Sequence, residues 1–125
     1  MELNTFFNHD SDEQIVQKRS AEELNLWLSH INYILNESDR LAKIASNVIK
    51  NREFRDHFLE LIIKNQSFLN ELLSYKNSMV HYKECDDFEC DLFYINKHEN
   101  LREKYIKAIG NYRSHKDQFY SKMLS

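Results

Sequence analysis

The chain has 125 residues, a net charge of −3 and a sequence isoelectric point near 6.1, with 42% hydrophobic, 13% aromatic and 30% charged residues. That length suits one domain with one core, and the apolar content is too high for a compositionally disordered chain. The charge offers no general attraction to nucleic acid or anionic membrane, and the absence of proline beside a single glycine, Gly110, disfavours turn-rich strand folds.

The opening stretch MELNTFFNHDSDEQ has no basic segment followed by an apolar run, so it does not read as a signal peptide. No apolar run reaches the roughly 18 residues of a membrane span. Two cysteines do not make a secreted disulfide framework. A soluble, cytoplasmic protein is expected, with residues 1–19 as a flexible or packed N-terminal arm.

From Leu24 to Ile49 three adjacent lines of apolar residues repeat every seven positions: Leu24, Ile31, Ser38, Ala45; Trp27, Ile34, Leu41, Val48; and Leu28, Leu35, Ala42, Ile49. Such spacing puts them on one broad helix stripe. Ser20 and Glu23 form a capping-box pattern that predicts a helix over 21–50, while the similar pattern at Ser11 allows an earlier start. The second helix, expected over 52–83 with Asn51 as N-cap, carries Phe54, Leu61, Phe68, Tyr75 and Tyr82 beside Phe58, Asn65, Leu72 and Met79. Asn65 on a core line predicts either a register-fixing polar residue or a break.

The third helix, expected over 87–123, shows two stripes slightly out of phase. Phe88, Leu92 and Ile95 form one, and Tyr94, His98, Leu101, Tyr105, Ala108, Tyr112, His115 and Phe119 the other. That shift predicts a break near 96–100. Gly110 within the pattern costs about 1 kcal/mol relative to alanine. Three long helices joined by short connections imply an all-α, up-down-up antiparallel bundle. Leu59, Ile63, Leu73, Val80, Ile106 and Ile109 fall off the main seams, so a homodimer or another helical protein partner is expected. Tyr75, Met79, Tyr82, Tyr105 and Tyr112 are the expected interface anchors.

The stretch HYKECDDFECD, 81–91, holds both cysteines. Asp86 as N-cap and Glu89 as its capping-box partner put Cys85 and Cys90 at the two positions a hydrophobic staple joins. The spacing therefore reads as a corner, with no metal site, although a disulfide is geometrically conceivable.

No histidine has an acid three residues before it, and no two are four apart, so neither pattern of metal-binding bundles is present. No cofactor is expected. His98, Tyr105, Tyr112 and His115 share an inner stripe and could give a bundle interior the polar tips that hold a metal or small ligand. Arg52 and His57 stand in an Arg-x4-His arrangement that resembles the active-site motif of the HEPN ribonucleases, which are also all-helical. The resemblance covers these two residues and implies His57 as general base and Arg52 as phosphate stabiliser. HEPN domains usually carry the motif late in the chain, whereas here it precedes the midpoint. The principal expectation is an interaction or regulatory module, not an enzyme.

Overall fold

The computed structural model describes residues 12–82 and 84–125, which form three helices and no strand. These are α1 (Asp12–Asn47), α2 (Arg52–Tyr82) and α3 (Phe88–Leu124). At 1.5 Å per residue they are rods of about 45–55 Å. Two short turns reverse the chain, so α1 and α3 run parallel and α2 antiparallel between them. Cross-contacts fix that register: Glu23 meets Arg102, His30 meets Tyr105 and Glu37 meets Lys116. Phe119 at the end of α3 packs on Phe54 and Phe58 at the start of α2.

The core follows the inner stripes. Leu24, Trp27, Ile31, Ile34, Leu41 and Ala45 of α1 are buried against Phe58, Leu61, Phe68 and Leu72 of α2 and Leu101, Ile109 and Phe119 of α3. Asn65 is buried without interrupting α2, because its side-chain amide donates to the Leu61 carbonyl one turn back at 2.9 Å. Its polarity is absorbed within its own helix.

Several boundaries differ from the sequence expectation. Helix α1 begins at Asp12, so Ser20 and Glu23 lie inside it and form no capping box. Glu23 reaches across to α3 instead. Residues 12–19 are thus helix, and the remainder of the expected arm lies outside the described residues. At its other end α1 stops at Asn47, and Lys50 takes a positive φ of 58°. The Asn51 amide closes this end by donating to the Ala45 carbonyl at 2.8 Å, a contact that spans the left-handed residue. Asn51 then caps α2 as expected, accepting from the Phe54 amide at 3.1 Å.

Helix α3 does not break near 96–100. The two stripes are two faces of one continuous helix: Tyr94 and His98 point inward, whereas Phe88, Leu92 and Ile95 are exposed. Ile109, expected off the seam, is buried, while Ile106 is exposed. The N-cap of α3 is Asp87, not Asp86. Asp87 is extended (φ −134°, ψ 164°) and its carboxylate accepts from the Cys90 amide at 2.7 Å, the three-residue spacing a cap requires. Cys90 therefore sits at N3, and Glu89 falls one residue short of the capping-box position. Cys85 and Cys90, with Cα atoms 5.6 Å apart, are joined by a disulfide where an apolar staple was expected.

Candidate functional site

The richest polar arrangement draws one residue or more from each helix. The sequence puts Glu23 on the flank of α1, Tyr75 on the inner line of α2, and His98 and Arg102 one turn apart on α3. In the fold the Tyr75 hydroxyl lies 2.9 Å from His98 Nδ1, and His98 Nε2 lies 2.7 Å from Glu23 Oε1. A neutral ring protonated at Nε2 donates to Glu23 and accepts from Tyr75, leaving both nitrogens satisfied. Arg102 donates to Glu23 through Nε at 3.0 Å and Nη2 at 2.6 Å, and also pairs with Glu99.

The surroundings decide what this cluster can do. Trp27 stacks on the His98 ring with centroids 4.8 Å apart, and Tyr105 lies on the same indole at 5.5 Å. The Arg102 hydrogen bonds hold the Glu23 carboxyl below its ordinary 4.5, against a smaller opposing push from burial. Burial pushes the Tyr75 hydroxyl far up, so it remains protonated. His98 is only 5% exposed and is enclosed by Trp27, Tyr75 and Glu23. The cluster ties three helices together.

A second polar layer lies toward the other end of the bundle. The rings of His57 on α2 and His115 on α3 are 5.0 Å apart, and both Nδ1 atoms are buried without a hydrogen-bond partner among the described residues. The Tyr112 hydroxyl and Ser38 Oγ are likewise buried and unbonded. Burial, then the neighbouring His57, lowers the His115 pKa below its ordinary 6.5. Glu60 and Lys64, themselves paired at 3.0 Å, also act on it. Among the described residues no three His, Cys, Asp or Glu side chains gather closely enough to hold a metal ion.

The sequence candidates distribute unevenly over this framework. Arg52 lines an open cleft with Ser46, Asn47, Lys50 and Arg55, whereas the His57 ring faces Phe54 and His115. The fold thus points the two residues of the Arg-x4-His arrangement to different surroundings. Tyr75, Tyr82 and Tyr112 are buried inside the chain's own core and present no ring to an external partner; Met79 is partly buried. They anchor the bundle because their lines face inward. Of the proposed ligand-holding set, Tyr105 lines a cleft of about 380 Å³ with His30, Ile106, Ile109, Gly110 and Arg113. His98 and Tyr112 lie in packed interior, and His115 is engaged with His57.

Sequence reading missed Glu23 and Arg102 as partners, although residues 1–23 carry six acids against two bases and residues 97–122 seven bases against three acids. It also missed the surface between α1 and α3. The stripe of Arg102, which reaches over to α1, continues through Phe88, Leu92, Ile95 and Ile106, all exposed. On α1 the residues bordering the same seam, Val16, Leu26 and Tyr33, are exposed too. Gly110 presents no side chain there, and a Cβ at this position meets nothing within 4 Å. No helix among the described residues is long and apolar enough to cross a membrane. No protein family, curated protein or solved structure matches the chain.

Proposed function

We propose that the protein is a self-associating interaction module that docks a second copy, antiparallel, along the α1–α3 seam. The observation that carries the reading is the outward stripe of α3. Phe88 is 76% exposed, Ile106 60% and Leu124 88%, and Leu92, Ile95 and Tyr120 lie on the same side. Exposed apolar residues at both ends and the middle of a helix flank, with charges between them, are the pattern of an interface.

The stripe is also self-complementary. Ile106 is the middle residue of α3, so a two-fold axis beside it brings Phe88 opposite Leu124 and Leu92 opposite Tyr120 of the second copy. The same operation brings Glu99 opposite Arg113, pairing unlike charges seven residues either side of the axis. A parallel arrangement would set like charges together. Gly110, one turn from the axis, lets the backbones approach where any other side chain would hold them apart.

Sedimentation equilibrium over a wide concentration range tests this. A dimer that Ile106→Lys dissociates, with the far-ultraviolet spectrum and melting of the variant preserved, is the expected result. A wild-type monomer at every concentration contradicts the reading.

A further inference from the structure

We propose that the cleft at the α1–α2 turn binds the phosphate group of a small phosphorylated ligand. The cleft measures about 420 Å³ and is lined by Ser46, Asn47, Lys50, Arg52 and Arg55. Three cations, a hydroxyl and a carboxamide converge on it, and among the described residues no carboxylate lines it. Planar guanidinium groups beside an ammonium suit the oxygens of a phosphate monoester, with the serine and asparagine completing the donors.

The cations are available to a ligand. Lys50 and Arg52 have no ion-pair partner among the described residues, and Arg55 gives Nε and Nη2 to Asp56 while Nη1 stays free of that contact. The placement of Lys50 also runs against the local backbone preference. Lys50 occupies the left-handed position after α1, where glycine is the least costly residue, so lysine is retained there at a cost in stability. A phosphate held by its ammonium gives that choice a use. This binding is independent of self-association through the α1–α3 seam, since none of the cleft residues belongs to that stripe.

The test is a titration followed by amide chemical shifts, with inorganic phosphate, adenosine monophosphate and a single-stranded oligoribonucleotide as separate probes. Saturable shifts confined to residues near 46–56 are expected with inorganic phosphate, with the monophosphate, or with both. Tighter binding of the monophosphate identifies an esterified ligand, and equal binding identifies the free anion. Lys50→Gly should weaken binding about tenfold while raising the melting temperature, so loss of binding cannot be ascribed to misfolding. Lys122→Ser, a base at the end of α3 that does not line the cleft, should leave affinity unchanged. The proposal is overturned by the absence of saturation at millimolar probe, by unweakened binding in Lys50→Gly, or by equal weakening in Lys122→Ser. Binding of the oligoribonucleotide without either small probe overturns it as well.

Discussion

The two polar layers of the bundle each hold a tyrosine and a histidine of neighbouring helices and behave as opposites. Toward the disulfide-closed corner, Tyr75 and His98 meet Glu23 and Arg102, and every polar atom of the imidazole has a partner. Toward the other end, Tyr112 and His115 lie on the same inner stripe of α3, but their buried polar atoms and those of His57 and Ser38 are unbonded. A buried polar group stabilises a fold only when its partners are all present, and otherwise its desolvation is a net cost. The first layer therefore sets the register of three helices, while the second is a weak level held by the aromatic packing of Phe54, Phe58 and Phe119 around it.

Breaking the satisfied layer should have the largest effect. His98→Ala leaves the Tyr75 hydroxyl unpaired, removes one of the hydrogen bonds to Glu23 and opens a gap under Trp27, and should cost about 3 kcal/mol in urea unfolding. A loss below about 1 kcal/mol would mean that the cluster contributes no more than a surface pair. Glu23→Gln comes next, at about 1–2 kcal/mol, because the amide keeps the shape but loses the charge that Arg102 binds.

Glu23 also gives the comparison a pH axis. Its carboxyl is depressed in the folded state, so its contribution is present above 4.5 and disappears as the pH falls through the lower folded value. The Gln variant should lose that acid limb of the stability curve. His115 acts in a higher window: its folded pKa lies below 6.5, so the unfolded chain binds the proton more readily and stability falls as pH drops below 6.5. His57, Glu60 and Lys64 face it, and burial remains the leading cause. His115→Phe should abolish this slope and gain up to about 1 kcal/mol by replacing an unbonded polar ring. A destabilised variant with the slope intact would contradict the contrast between the layers. Ser38→Ala should have the smallest effect, within about 1 kcal/mol of neutral and toward stabilisation, since the hydroxyl it removes has no partner.

Much of the architecture was legible because burial follows helical spacing. The line Leu24, Ile31, Ser38, Ala45 is buried throughout, and so is Leu61, Phe68, Tyr75, Tyr82. What misled was the assumption that each apolar stripe faces the core. Phe88, Leu92 and Ile95 share the spacing of an inner stripe, yet Tyr94 and His98 take the inward direction, and the phase shift read as a break is the angle between two faces. The same assumption promoted Tyr75, Tyr82 and Tyr112 to interface anchors. Long-range pairing was the other blind spot: nothing in Ser20-x-x-Glu23 distinguishes a capping box from a mid-helix acid awaiting Arg102. The corner is legible as a turn but its cap is not, since two adjacent aspartates compete for the position and backbone geometry selects Asp87.

Whether the outward stripe of α3 meets its own copy is tested most directly by isotope-filtered NMR on a mixture of labelled and unlabelled protein. The antiparallel arrangement predicts intermolecular contacts from Phe88 and Leu92 to Tyr120 and Leu124, with Ile106 contacting Ile106. Intermolecular contacts arising from Leu59, Ile63 and Val80 on α2, or none from α3, would contradict it.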